Sequence, residues 1–257
     1  MVSAADWASF EEVGYLLLGA VASPAQLASL QNRIDAIMLG EMRYDGMYFQ
    51  LDSDTGRYED VGSGGGFAGP TLNYRKIEQL EKDPVFLAYM QRPEFREITQ
   101  RVYGSEVSIY RAMFMNKPAQ KGTVLPYHQD GGSQWGLTAN PLITVWTALD
   151  DASRANGCMQ VIPGSHKLGL LSERGHTITA QQEAELAPDD KSVYLEAREG
   201  EAILLHNWLL HRSGVNTISQ SRRALSVCYM DAATRACGDS ARSFPQLFGA
   251  GALGSVS

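Results

Sequence analysis

Five histidines occur in the 257-residue chain, and two of them stand where metal chemistry could begin. His128-Gln129-Asp130 sets an imidazole and a carboxylate two residues apart. On an extended strand those two positions face the same side, so both side chains can reach one ion. His211 follows a later apolar run, Ala202 to Leu210. Two histidines and one carboxylate form a three-ligand face that leaves positions open on Fe(II), the donor set of non-heme iron oxygenases. Taken alone, the triplet also fits a surface histidine beside an aspartate in a turn, since Gly131 and Gly132 come next.

Residues downstream of His211 bear on that choice. Arg222 opens the next apolar strand pattern, Ala224 to Met230. An arginine held there can form a bidentate pair with a carboxylate lying beside the metal, whereas its other reading is a charge at a sheet edge. Ser213 shares the parity of His211 and could add a hydroxyl donor. His206 lies an odd number of residues before His211, which puts it on the other side of a regular strand, and His176 lies in a polar stretch. Neither is expected to bind the metal, nor is His166. Trp135 and Trp208 read as packing residues, with Trp135 close enough to the triplet to line a pocket.

The elements that must position these groups fall into two halves. Residues 1–105 read as a mostly helical buttress. Ser23-Pro24 caps a helix whose apolar positions Leu27, Leu30, Ile34, Ile37 and Met38 recur at helical spacing, and shorter helices are expected near Asp83–Met90 and Pro93–Val102. Between them, residues 40–72 are rich in Gly, Asp and Tyr and include Gly62-Ser63-Gly64-Gly65-Gly66, a lid-like loop or a surface excursion. Residues 106–235 alternate short β-rich runs with turn signals, as in an antiparallel sandwich or barrel. Residues 236–257 read as a loosely ordered tail. The whole is expected to be one domain, 1–257.

Composition narrows the partners. Apolar residues make up 44% and charged residues 20%, an ordinary globular balance. The net charge is −7, and no dense Lys/Arg stretch offers a phosphate-binding surface, so a small molecule is expected rather than nucleic acid. No apolar run approaches the roughly 20 residues that cross a bilayer, so no membrane partner is expected. Three widely spaced cysteines without a CxxC pair fit a reducing compartment, and with no leader pattern at the N-terminus the expectation is a cytoplasmic location. Oligomeric state is not readable from these features.

Several further motifs occur in order: Asn116-Lys117-Pro118, Tyr127-His128-Gln129-Asp130, Trp146-Thr147-Ala148-Leu149-Asp150-Asp151, Asn156-Gly157-Cys158, Ile162-Pro163-Gly164-Ser165-His166-Lys167, His211-Arg212-Ser213-Gly214, Asn216 and Arg222. Together they resemble the phytanoyl-CoA dioxygenase family of Fe(II)/2-oxoglutarate oxygenases over roughly residues 5–235. The resemblance implies a mainly β fold, a double-stranded β-helix or jelly-roll core of cupin type buttressed by N-terminal helices. It implies His128, Asp130 and His211 as iron ligands, and Arg222 with Ser213 as the holders of the distal carboxylate of 2-oxoglutarate. Trp146, Met113, Gln129 and Lys76 match family positions at the cosubstrate, Lys76 having a solvated helix-entry lysine as its other reading. His166 falls in a turn that the resemblance treats as structural.

The implied reaction couples decarboxylation of 2-oxoglutarate to succinate and CO2 with O2-dependent oxidation of a small organic molecule, secondary metabolism being one setting. C–H hydroxylation is the default outcome, and ascorbate can serve as reductant. Asp130 being a carboxylate argues against halogenation. Two other readings stay open: a jelly-roll metal enzyme of different chemistry, such as a hydrolase or isomerase, and a non-catalytic metal-dependent binding module. Arg222 separates the first of these, because such sites need no 2-oxoglutarate clamp.

Overall fold

Alternation along the strands sorts the chain into an inner and an outer face. In the computed structural model, which describes residues 2–186, 189–238 and 242–254, Leu225, Val227 and Tyr229 of one strand join an apolar cluster with the N-terminal helices, whereas Arg222 and Ser226 of the same strand line a cleft. A residue period of two places every second side chain on one face, so this strand builds core and site at once.

The strands are β1 (Tyr15–Ala20), β2 (Tyr48–Leu51), β3 (Tyr74–Glu78), β4 (Val107–Lys117), β5 (Leu125–Gln129), β6 (Ile143–Ala148), β7 (Met159–Val161), β8 (His176–Thr177), β9 (Val193–Leu195), β10 (Glu201–His206), β11 (His211–Ser213), β12 (Arg222–Asp231) and β13 (Gln246–Phe248). They form an antiparallel sheet in the order β1-β10-β6-β12-β4-β3-β2, with β13 also paired to β4, and a second sheet in the order β8-β5-β11-β7-β9. The crossovers of these two antiparallel sheets are those of the expected jelly roll.

Helices α1 (Ala4–Val13), α2 (Pro24–Met38), α3 (Pro84–Met90) and α4 (Pro93–Tyr103) come from the first half, and α5 (Ala180–Leu186) from the second. The start of α2 is set by Ser23, whose hydroxyl accepts from the Gln26 N–H while the Gln26 side chain accepts from the Ser23 N–H. Its buried face is Leu27, Leu30, Ile34, Ile37 and Met38, the stripe read from spacing, and it packs into the same cluster as Phe114, Val145 and Val227. Arg223, which follows Arg222, turns outward and joins Asp150 through two nitrogens at 2.9 and 2.8 Å and Asp35 of α2 at 2.6 Å. This network ties the helix to the sheet.

Residues 1–105 carry three strands beside the four helices α1–α4: β1, β2 and β3 all join the large sheet. From the run Tyr15-Leu16-Leu17-Leu18, the first three residues pair with β10 and the register shifts at Leu18, just before Gly19, whose φ of +69° suits glycine. A short apolar run of that kind carries no period that distinguishes strand from buried helix. The helix-entry reading of Lys76 fails, since Lys76 lies on β3 opposite Met115. The tail is also more than loosely ordered: β13 pairs with β4, and Leu247 and Phe248 are fully buried. Among the described residues, no helix is long and apolar enough to cross a membrane.

His206 marks a pH-sensitive point in this framework. Its ring lies 4.8 Å from that of His166 and 6.3 Å from Phe10, and its Nδ1 accepts the Trp208 N–H. Burial, with the neighbouring His166, pulls its pKa down to about 4. The unfolded chain takes up this proton near 6.5 and the folded one does not, so stability is fully present above about pH 6.5 and declines as pH falls toward 4. Thermal unfolding of the metal-free protein should show a falling midpoint across that window, with a shallower slope in His206→Gln. Equal slopes in both proteins would remove His206 as a source.

Candidate metal centre

The two candidate histidines come from neighbouring strands of the smaller sheet, where His211 of β11 sits directly opposite His128 of β5. Their ring centroids are 4.0 Å apart, and His211 Nε2 is 4.0 Å from Asp130 Oδ2. Asp130 lies just past the end of β5, where its N–H donates to the Asn207 carbonyl at 2.7 Å. One ligand atom from each of His128, Asp130 and His211 falls within 4.8 Å of the others.

The tautomers are set by the backbone. His128 Nδ1 lies 2.9 Å from the Pro126 carbonyl, and His211 Nδ1 lies 2.8 Å from that of Leu209. A carbonyl can only accept, so each Nδ1 carries the proton and each Nε2 keeps its lone pair for a metal. His128 is only 4% exposed. Burial, reinforced by His211 and His176, holds its pKa well below the ordinary imidazole value, so it is neutral at pH 7, the form that binds metal. Two neutral nitrogens and one carboxylate oxygen fit Fe(II).

Arg222 lies in the same cleft, 4% exposed and facing the Trp146 ring at 5.8 Å. Its Nε has no hydrogen-bond partner, and no carboxylate lies within ion-pair distance among the described residues. Burial lowers its pKa to about 10, still far above neutrality, so it stays charged. A buried, unpaired guanidinium is costly unless an anion comes to it.

Ser213, Trp146, Met113 and Lys76 also line this cleft. Lys76 Nζ pairs with Glu78 at 2.8 Å and sits 5.0 Å from the Tyr48 ring centroid. Gln129 is the exception among the expected contacts. Strand alternation turns it away from its neighbours His128 and Asp130, and its amide donates to the Gly169 and Trp208 carbonyls and accepts the Leu171 N–H. It clamps the loops behind the metal ligands. The motif asparagines work similarly: Asn116 holds the Leu72 and Tyr74 carbonyls, and Asn216 those of Lys117 and Gln220.

Other cleft residues escaped the reading of the sequence. His176 is no bystander in a polar loop: its ring is 5.0 Å from that of His128, and its Nε2 is 2.6 Å from the Tyr58 hydroxyl. It adopts a left-handed φ of +74°, unusual for histidine. The loop carrying it approaches Gly131 so closely that a Cβ on Gly175 would lie 1.8 Å from the Gly131 oxygen. Arg75 and Arg111 line the cleft as well. Arg75 sits at an irregularity in its ladder, where a bulge puts neighbouring residues on the same side, whereas Arg111 shares the parity of Met113 and Met115 on β4.

Known proteins share this fold. EctD from S. alaskensis, solved with 2-oxoglutarate and 5-hydroxyectoine, superposes with a TM-score of 0.73 at 20% identity, over 99% of this chain and 86% of that one. SnoK, an alpha-ketoglutarate-dependent carbocyclase from nogalamycin biosynthesis, gives 0.69 at 23% identity over 92% and 87%. In sequence, the chain is 26% identical over 232 residues to the peroxisomal phytanoyl-CoA dioxygenase of Bos taurus, covering 87% of this chain and 67% of that protein. It is 27% identical over 246 residues to phytanoyl-CoA dioxygenase 1 of Oryza sativa subsp. japonica, covering 86% of each. The family model described as phytanoyl-CoA dioxygenase (PhyH) matches residues 10–224, a span that includes the three metal-ligand candidates and the buried arginine. On that match, the chain belongs to the phytanoyl-CoA dioxygenase family.

Proposed function

We propose that this protein is an Fe(II)- and 2-oxoglutarate-dependent dioxygenase that oxidises a small organic molecule, by default at a C–H bond. The observation that carries the reading is Arg222, a buried cation without an acid partner, in one cleft with a two-histidine, one-carboxylate cluster. A metal hydrolase or isomerase has no use for such an arginine, whereas a dicarboxylate cosubstrate bound at the metal would neutralise it. His128, Asp130 and His211 would hold iron. Iron bound there supplies O2 activation coupled to decarboxylation of 2-oxoglutarate to succinate and CO2.

The chain's own residues then bind and orient. Arg222 and Ser213 hold the distal carboxylate, and Trp146 and Met113 wall the cosubstrate. Lys76, drawn to Glu78 in this structure, is close enough to the cleft to contribute charge. The segment 40–72 reaches the cleft through Tyr58 and serves as its cover.

The test is succinate release from 2-oxoglutarate with Fe(II), O2 and ascorbate, beside anaerobic titration of 2-oxoglutarate followed by the visible absorption of its Fe(II) chelate. The expected result is a chelate band with saturable 2-oxoglutarate dependence and iron-dependent succinate formation. Absence of the band with Fe(II) and 2-oxoglutarate both present would falsify the assignment.

A further inference from the structure

Besides Arg222, the cleft is lined by Arg75, Arg111 and Arg212, and Arg111 is the one that the cosubstrate cannot use. Arg111 lies on β4 opposite Cys228 of β12, whereas Arg222 lies opposite Lys117 at the other end of the same ladder. At about 3.3 Å per strand residue, the two rows stand roughly 20 Å apart. The iron-ligand face, on the opposing sheet, borders the space between them, and Arg111 is on the Asp130 side. A five-carbon diacid that reaches from the metal to Arg222 does not also extend past the metal to Arg111.

Arg111 is held in place without being satisfied. Alternation with Met113 and Met115 puts Arg111 on the cleft face, the bulge at Tyr110 turns that ring to the same side, and the guanidinium carbon lies 4.6 Å from the ring centroids of Tyr110 and Trp135. Those two rings stack at 4.4 Å and 20°. Arg111 has no hydrogen-bond acceptor among the described residues; its one ion-pair contact is Glu78 at 4.0 Å, a carboxylate already bonded to Lys76 at 2.8 Å. With Fe(II) and 2-oxoglutarate in place, the cosubstrate's distal carboxylate meets Arg222, Glu78 offsets Lys76 and Glu183 offsets Arg212, while Arg75, beside Arg222, bonds to Gln50. Arg111 is left with a preoriented fork and no anion of its own.

We infer that the substrate carries an oxyanionic group, carboxylate or phosphate, and that Arg111 binds it on the side of the metal away from Arg222. This rests on the dioxygenase reading and adds a substrate class to it. A guanidinium stacked on aromatic rings keeps its planar edge free for two parallel hydrogen bonds to such a group. The bound anion fixes which C–H bond faces the metal.

The test uses the anaerobic protein loaded with Fe(II) and 2-oxoglutarate, titrated with phenylacetate, phenyl phosphate and phenylacetamide. Binding is followed by tryptophan fluorescence, since Trp135 and Trp146 border the site. At least one oxyanion should bind tenfold or more tightly than the amide. Arg111→Met should remove the preference and Arg111→Lys retain part of it, with 2-oxoglutarate affinity, read from the chelate band, unchanged in both. Glu78→Gln should tighten oxyanion binding severalfold by removing the competing carboxylate. The inference is overturned if the amide binds as well as both oxyanions, or if Arg111→Met keeps the preference. Failure of the wild-type protein to form the chelate band would instead defeat the underlying reading.

Discussion

His128→Ala should abolish 2-oxoglutarate turnover, by at least about a hundredfold, and the loss should appear first as loss of Fe(II) binding. The reason is geometric. His128 stands opposite His211 on the neighbouring strand, and its Nδ1 is committed to the Pro126 carbonyl, so its Nε2 is pre-aimed at the metal position. Removing one of three protein ligands leaves a two-point site, whereas disturbing even an outer partner of a metal ligand typically costs about 10–100-fold in affinity or activity. Anaerobic calorimetry with Fe(II) and circular dichroism together check the claim. The variant should keep its β-sheet spectrum while tight Fe(II) binding disappears. Unchanged iron affinity would show that the metal sits elsewhere.

Arg222→Met should raise the 2-oxoglutarate requirement by roughly a hundredfold, equivalent to about 3 kcal/mol, the scale of losing one member of a buried charge pair. The same substitution should leave the metal-bound protein without 2-oxoglutarate as stable as wild type or more so, because Arg222 is then a buried charge lacking an acid partner. Thermal unfolding with and without 2-oxoglutarate reads both effects. Saturating cosubstrate should raise the wild-type midpoint strongly and the variant's very little, since ligand stabilisation follows the ratio of concentration to Kd. A variant destabilised without ligand, with 2-oxoglutarate affinity intact, would mean that Arg222 serves packing.

Much of the fold was legible in local patterns. The stripe of α2 and its Ser23 cap follow from helical spacing, and β4, β6, β10 and β12 appear where alternating or continuous apolar runs predict them. The strands of the first half were missed for a common reason. β1 is too short and too uniformly apolar to show a period, β2 has only four residues, and β3 joins the sheet through β4, far away in sequence. The same holds for β13, whose three residues become a strand only against β4.

The site was legible in residue types and order, less so in direction. Gln129 sits inside the motif yet points behind it, as its position between two ligands on a strand already implies. His176 and Tyr58 carry no local signal of their approach, because they lie in segments far apart in sequence that meet only across the cleft.

The sequence by itself determined which atoms could bind a metal, since His128, Asp130 and His211 are chemically suited and His128 and Asp130 share a strand face by simple alternation. It also placed an arginine at the head of the strand that comes after His211. Only the tertiary structure decided which of Arg222 and Arg223 enters the cleft: the pairing of β12 with β4 and β6 sets the face, so Arg222 is left without an acid while Arg223 binds Asp150 and Asp35. Arg111 shares the parity of Met113, but only the tertiary structure brought the Tyr110 and Trp135 rings against it, because the bulge that turns Tyr110 to its side exists only when two strands pair. Residue chemistry is carried by the chain locally. Facing, pairing and the absence of a partner arise from contacts between segments far apart in sequence, and those decide what each charge is free to bind.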